Sequence, residues 1–514
     1  MMQVEISGYV WLDRAALTHR QVSNIVDRLT IQPKQTSDVA DKTPQPIHLY
    51  RIDEVRDKIG VPRGFYRSMG SGQHTEDVLV SYGAPMRPLT TTAKFEGPFV
   101  EQAVAVEVLL QSLRPSGVDD GWGGVFLRAD AAFGKTICCL EVARRLGRRT
   151  LILVHQEFFL HQWQKRIARF FPDARVGIVQ QNRCEYECTA EGEAPDFVIA
   201  LMQSLVRDDG GDRYPQEIYG PDVFGVVAVD EAHHLGAATF ARIVPRFSAA
   251  YRICLSATPR RRDGAENVFF YHISPVTYSA HTQSMRPSVR RIYTETMLRP
   301  ISRGQYKVKA DNLNSAQIAN QICADTTRTR ALVDDIVEAV RNERKVMVVS
   351  ARLEHLRTMM DQVGRILRNM DLSFVPVLDA YTGQWFTDEV WDTTTRTHRK
   401  GAPKLKPRTE ADLVAAERAN CLFATSQLIS EGLDIPALDV LVLTTPIADV
   451  EQAVGRVRRW CVPSSECVHY CPWRAGRCTG KPEPIVTDVI DERIPRLRGM
   501  AARREKFYKT CCTV

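Results

Sequence analysis

The chain has 514 residues, 44% hydrophobic and 25% charged, with a formal net charge of +7. That length suggests two to four domains, and the composition is that of an ordinary soluble globular protein with apolar material for more than one core. The mild positive excess permits a polyanionic partner without demanding one, and it lies below the footprint of a dedicated nucleic-acid-binding domain.

Met1 to Trp11 lacks a basic stretch followed by a long apolar run and is not read as a signal peptide. No segment approaches the ~20 apolar residues that span a bilayer, so the expectation is a cytoplasmic protein without membrane contact. Thirteen cysteines are scattered along the chain, several of them (Cys138, Cys139, Cys254) inside apparent buried strands. In a reducing compartment these act as small hydrophobes rather than disulfides.

Residues 1–90 mix short strand-like and helical patterns, punctuated by the turn Gly60-Val61-Pro62-Arg63-Gly64. They carry no catalytic constellation and are read as a small α+β accessory domain. From about residue 95 short apolar runs alternate with amphipathic helical patterns. The runs are Thr150 to Val154, Val226 to Val229, Ile253 to Leu255, Val346 to Val349, Leu422 to Ala424 and Val440 to Leu443. Continuous apolar runs of this length fit parallel strands buried on both faces, and their alternation with helices implies a doubly wound α/β fold. The pattern is too long for one sheet. A break near Pro275 divides it into an α/β domain over residues 91–275 and a second over 276–514. A charged segment, Trp391 to Thr409, interrupts the second domain as a surface insertion or flexible loop.

Ala129-Asp130-Ala131-Ala132-Phe133-Gly134-Lys135-Thr136 follows the strand-like Val125-Phe126-Leu127 and precedes a helical pattern from Ile137 to Leu146. Strand, tight loop, Gly-Lys-Thr and helix form the context of a phosphate-binding loop. Backbone N–H groups at the helix start would bind phosphate oxygens. Lys135 would neutralise the β- and γ-phosphates of ATP, and Thr136 would hold Mg²⁺. Ala129 and Ala132 stand where the general pattern has glycine. If residue 132 must be left-handed, alanine there costs about 1–2 kcal/mol, enough to weaken ATP affinity without removing the charge chemistry.

Asp230-Glu231-Ala232-His233 ends the run Val226 to Val229. Carboxylates at the C-terminal end of a buried parallel strand sit where such sheets bind ligands. Asp230 would hold Mg²⁺ and Glu231 would polarise the attacking water as general base. A helix N-cap with acidic first-turn residues is the plainer alternative.

With these motifs in order, the chain resembles the superfamily 2 helicases that carry a Asp-Glu-Ala-His sequence, nearest the XPB-like and phage UvsW-like branch, over residues 95–510. Gln102 lies where that family reads adenine or positions the loop. His161-Gln162-Trp163 resembles the segment after the second strand. Gln203-Ser204-Leu205 resembles a strand-end motif that touches the nucleic-acid backbone. Ser256-Ala257-Thr258-Pro259 matches the motif that couples hydrolysis to movement, in which His233 also takes part, and Arg260 to Gly264 resembles its continuation. In the second domain, Ser350-Ala351-Arg352 resembles the fourth motif. The fifth is matched by Ser430-Glu431-Gly432-Leu433-Asp434, with Gly432 and Asp434 as nucleotide contacts. Gln452-Ala453-Val454-Gly455-Arg456-Val457-Arg458-Arg459 fits the sixth.

The resemblance implies two tandem RecA-like domains, parallel sheets flanked by helices, behind the accessory domain. It also implies an ATP- and Mg²⁺-dependent motor on DNA, duplex or branched, in replication, recombination or repair. Arg456 and Arg459, three residues apart on one helix face, would reach the γ-phosphate on domain closure. Gln203, Ser204, Ser350, Arg352 and Ser426 are the candidates for gripping phosphates. An RNA helicase, the motor part of a restriction system, and a nucleic-acid-binding protein with a decayed nucleotide site remain alternatives. A viral or bacterial setting is the expected one.

Cys461, Cys467, Cys471 and Cys478, with His469 among them, follow the arginine segment, and Cys184 and Cys188 form a separate pair. Four cysteines in a short loop could make a structural zinc site, although the paired C-x₂-C of common zinc modules is missing; unbound thiols are the expected state. The basic tail from Arg493 to Lys509 is expected to be a helix docked on the second domain.

Overall fold

The structure is a computed structural model that describes residues 2–34, 45–69, 74–96, 99–114, 121–129, 133–187, 192–205, 216–232, 237–257, 259, 263–280, 285–303, 306–386, 391–392, 397–398, 405–426, 435, 437–447, 450–458 and 481–513. It divides into two compact units, Met1–Thr282 and Gln283–Val514. Among the described residues, no helix is long and apolar enough to cross a membrane.

The first unit opens with a five-stranded mixed sheet. Its strands are β1 (Met2–Ile6), β2 (Val10–Asp13), β3 (Arg51–Asp53), β4 (Lys58–Val61) and β5 (His74–Val78), in the order β3-β4-β2-β1-β5. Only β1 and β5 run parallel. A helix, His19–Arg28, packs beside it and starts on a reciprocal Thr18–Gln21 capping box.

This sheet is not a separable appendage. Its buried residues Val4, Ile6 and Val10 belong to the same core as Phe126, Leu151 and Val229 of the following layer. Two buried arginines fasten it. Arg63 donates to the carbonyls of Ser7, Ser248 and Ala249, and Arg252 to those of Gly8, Phe247 and His272. A Cβ at Gly8 would lie 1.8 Å from the Pro245 carbonyl oxygen, so the chain approaches this seam more closely than any larger residue allows.

The main sheet of the unit has eight strands: β6 (Gly123–Ala129), β7 (Thr150–Val154), β8 (Val176–Gln180), β9 (Arg183–Cys184), β10 (Phe197–Leu201), β11 (Val226–Asp230), β12 (Tyr251–Ser256) and β13 (Tyr278–Ala280). Their order is β9-β8-β10-β7-β11-β12-β6-β13, and all pairs are parallel except β8–β9. Alternate residues enter different cores: Leu151, Leu153, Val227 and Val229 one, Ile152, Val154, Val226 and Ala228 the other. Burial on both faces is the physical reason that these strands read as continuous apolar runs. β13 pairs with β6, so the first unit runs to Thr282 rather than stopping at residue 275. Asp230 pairs with Leu255 and Leu255 with Leu127. Asp230, Ser256 and Ala129 therefore close three neighbouring strands at one edge of the sheet.

The second unit is built on six parallel strands, β14 (Ser288–Thr294), β15 (Val346–Ser350), β16 (Leu378–Tyr381), β17 (Cys421–Thr425), β18 (Val440–Leu443) and β19 (Ile485–Asp491). Their order is β14-β19-β18-β15-β17-β16. Here too the two faces fill separate cores, with Met347 and Val349 on one side and Val346 and Val348 on the other. Arg328 and Asp491, each 1% exposed, form an ion pair at 2.9 Å, and Arg504 pairs with Asp488 at 2.9 Å.

Arg504 lies on the tail helix Pro495–Cys511, which also buries Leu497, Tyr508 and Cys511; the tail is docked as expected. Within the charged insertion Trp391–Asp392 pairs antiparallel with Thr397–His398, and Leu405–Pro407 pairs antiparallel with Gln384–Phe386, which precedes the insertion. An ion pair from Arg408 to Asp379 holds its root.

Candidate nucleotide site

Strand β6 delivers the chain to the phosphate loop, and Gly134 turns it into the helix Lys135–Leu146 with a left-handed φ of +96°. Glycine is required there by the backbone conformation, and a Cβ, 2.6 Å from Gln102 Nε2, would also push that side chain aside. Gln102, on the helix Val100–Leu113, donates from Nε2 to the carbonyl of Phe133 at 2.6 Å. Phe133 is itself buried in the core. Gln102 thus fastens the loop backbone from outside.

Lys135 is the first residue of the helix and is only 9% exposed. Its ammonium donates to the Ala129 carbonyl at 3.0 Å and lies 3.6 Å from Glu231 Oε1. Thr136, also buried, accepts a hydrogen bond on Oγ1 from Arg166 Nη1 at 2.5 Å. The amides of this helix start and the lysine form an electropositive end suited to phosphate.

Asp230 closes β11 as a buried carboxyl. Trp163 Nε1 donates to its Oδ2 at 2.8 Å and the Glu231 amide to its Oδ1 at 3.0 Å. Burial, and after it the neighbouring Glu231 charge, push the Asp230 carboxyl up to about 6, against the opposing pull of Lys135, Trp163 and Arg166. Glu231 has a φ of +44°, a left-handed conformation that a side-chain-bearing residue adopts at a cost of about 1–3 kcal/mol and that recurs at functional sites. The Thr136 hydroxyl and the Asp230 carboxylate are hard oxygen donors of the kind Mg²⁺ takes. With Lys135 and the helix amides for phosphate, these residues fit a Mg²⁺–nucleoside triphosphate.

Ser256, 1% exposed, ends the strand beside Asp230, and Ala257 follows it. Gln203, in the short helix Met202–Leu205 after β10, donates to the His155 carbonyl at 2.6 Å, and Ser204 beside it is buried. In the second unit Ser350 is fully buried. Its Oγ lies 3.2 Å from His355 Nδ1 and accepts from the Arg352 amide at 3.2 Å, so it faces inward rather than toward solvent. The Arg352 side chain reaches Asn320 Oδ1 at 2.6 Å and the Ala316 carbonyl at 3.1 Å. Ser426 follows β17, half-buried. Gln452 and a buried Arg456 share the helix Glu451–Val457.

Asp130, Ala131, Ala132, His233, Thr258, Gly432, Asp434 and Arg459 lie outside the described residues, as do Cys461, Cys467, Cys471 and Cys478. Among the described residues no group of three or more His, Cys, Asp or Glu side chains is arranged to hold a metal ion. The pattern of the sequence singled out Trp163 and Asp230 separately but not their pairing, and it missed Arg166 altogether. The one available signal was that residues 163 and 166 share a helix face.

Residues 98–261 match the family model described as "Type III restriction enzyme, res subunit". A protein of Acanthamoeba polyphaga mimivirus named "Putative ATP-dependent RNA helicase" is 22% identical over 98% of this chain and 84% of its own length. A protein of Escherichia phage T5 named "Probable helicase" is 25% identical over 74% of this chain and 71% of its own. The crystal structure of T4 UvsW aligns over 99% of this chain and 97% of that one, at 15% identity and a TM-score of 0.38. The matched segment contains Gly134-Lys135-Thr136, Asp230-Glu231 and Ser256-Ala257. Over that segment the chain is similar to helicase ATPases of superfamily 2.

Proposed function

We propose that the protein is an ATP-dependent motor that moves on or remodels duplex or branched DNA, in replication, recombination or repair. The observation that carries the ATPase part is the meeting of Lys135 with Glu231, at 3.6 Å, beside the buried Asp230. A cation for phosphate and two carboxylates of different surroundings stand at the C-terminal edge of a parallel sheet, where such folds bind nucleotides.

In this reading Lys135 and the amides of its helix bind the phosphates, and Thr136 and Asp230 hold the metal. Bound Mg²⁺ supplies charge neutralisation of the phosphate oxygens. Glu231 takes the proton of the attacking water. Gln102 keeps the loop backbone in place through the Phe133 carbonyl, and Gly432 and Asp434 are the further nucleotide contacts of this reading. Arg456 and Arg459 supply positive charge to the γ-phosphate once ATP is bound, an effect worth about 10³–10⁵ in rate in related mechanisms, and Gln452, on the helix of Arg456, adds a neutral hydrogen-bonding amide. His233, Ser256, Ala257 and Thr258 couple hydrolysis to movement. Gln203, Ser204, Arg352 and Ser426 contact the phosphate track, and Ser350 acts from beneath by holding the Arg352 amide.

The name of the mimivirus relative favours a second reading, RNA as the track. Steady-state ATP hydrolysis with no nucleic acid, then with single-stranded, duplex and forked DNA and with RNA, separates the two. Strong stimulation by duplex or forked DNA is expected. Stimulation by RNA alone would transfer the protein to the second reading, and indifference to every form would remove both.

A further inference from the structure

The helix Glu157–Phe170 sets two side chains against the nucleotide site, one turn apart. The first, Trp163, is buried and holds Asp230. The second, Arg166, donates from Nη1 to Thr136 Oγ1 at 2.5 Å, and its charge also favours the ionised form of Asp230. The hydroxyl and the carboxylate that it serves are the two groups given above to the divalent cation.

The charges around the site balance without any metal. Lys135 and Arg166 face Asp230 and Glu231, two cations against two carboxylates. A guanidinium lying on the Thr136 oxygen occupies a lone pair and a place that a divalent cation needs. Mg²⁺ requires near-octahedral oxygen geometry at about 2.0–2.1 Å, and a hydroxyl oxygen has two lone pairs in fixed directions. Two like charges on one oxygen in a poorly screened site repel strongly. Loading of the metal therefore competes with Arg166 for the Thr136 oxygen.

We propose that Arg166 is a positioning residue that stands in for the divalent cation in the nucleotide-free site, holding Thr136 in place beside Asp230, and that Mg²⁺ competes with it for the threonine oxygen. Its long side chain keeps the site assembled when empty and sets how much Mg²⁺ is required to fill it. The proposal rests on the reading of Lys135-Thr136 as an ATP site.

The test is an equilibrium titration of a fluorescent ADP analogue into the full-length protein at a series of Mg²⁺ concentrations and in EDTA. Wild type is compared with Arg166→Ala, Arg166→Gln and Arg166→Lys, each first shown folded by its thermal transition. Arg166→Ala is expected to reach half-maximal nucleotide binding at about tenfold lower Mg²⁺, the scale of one lost charge-assisted hydrogen bond. Arg166→Gln, which keeps a donor without the charge, should shift the same way and serves if alanine prevents folding. Arg166→Lys should stay near wild type. An unchanged Mg²⁺ requirement in a variant that binds nucleotide overturns the proposal alone. Weaker binding in EDTA together with an unchanged Mg²⁺ requirement would make Arg166 a phosphate contact instead. No nucleotide binding by the wild type at any Mg²⁺ concentration overturns the ATP-site reading and this proposal with it.

Discussion

The indole nitrogen of Trp163 donates to Oδ2 of Asp230 at 2.8 Å, across 67 residues of sequence. Asp230 also accepts the Glu231 amide on its other oxygen, so each oxygen of this buried carboxyl has a donor. A carboxyl that burial and a neighbouring charge drive toward protonation is thereby kept closer to the ionised form that a metal requires.

Trp163→Phe keeps most of the ring and removes the donor. It should lower stability by about 1–3 kcal/mol, the range for a buried polar group left without its partner, as measured by urea denaturation. Nucleotide affinity in the presence of Mg²⁺ should fall with it, while affinity in EDTA stays nearly unchanged.

Gly134→Ala tests the loop. The backbone there is left-handed and a new Cβ would meet Gln102 Nε2 at 2.6 Å. The conformational penalty alone is about 1–2 kcal/mol, so nucleotide affinity measured by calorimetry should drop about tenfold or more. Gln102→Ala, which only releases the Phe133 carbonyl, should weaken binding less.

In the second unit the Arg328–Asp491 pair is buried, and Arg328 also donates to the Thr444 carbonyl at 2.6 Å while Thr294 donates to Asp491. Arg328→Ala leaves a buried carboxylate without its cation and should destabilise this unit by about 3–5 kcal/mol, read as a lower denaturant midpoint. Replacing both partners by apolar residues of similar volume should cost markedly less, because no uncompensated charge remains.

His355 gives the second unit a pH dependence. Burial, and next the Arg328 charge, lower its imidazole from 6.5 to about 4. The folded protein holds the ring neutral, whereas the unfolded chain takes up a proton near 6.5. The stability from this residue is therefore complete above pH 6.5 and is lost as the pH falls toward 4, at up to about 1.4 kcal/mol per unit. His355→Gln should flatten the stability profile between those limits in chemical denaturation at stepped pH.

The six apolar runs in the sequence all became central strands, because burial on both faces leaves no polar alternation to obscure them. Ile485–Asp491 was illegible for the opposite reason. Its Thr487 and Asp488 are buried but satisfied by Asp335 and Arg504, contacts that join residues far apart in sequence. The boundary expected at residue 275 missed β13, a three-residue strand too short to show a period. Within the site, Lys135, Asp230 and Glu231 were readable from local motifs. Arg166 was not, since its partner Thr136 lies 30 residues away and the one local signal was the helix face it shares with Trp163. Nor could the sequence foresee that Arg63 and Arg252 bind the N-terminal sheet to the first unit through backbone carbonyls, which leave no side-chain signature.

The central claim, that Lys135, Asp230 and Glu231 form a hydrolytic ATP site, is tested most directly by comparing nucleotide binding and ATP turnover in wild type, Lys135→Ala and Glu231→Gln, with duplex or forked DNA present. The account predicts that Glu231→Gln binds ATP at least as well as wild type but turns it over about 10²–10⁴-fold more slowly, the range for loss of a general base, while Lys135→Ala loses binding and turnover together. Turnover by Glu231→Gln at the wild-type rate would contradict it.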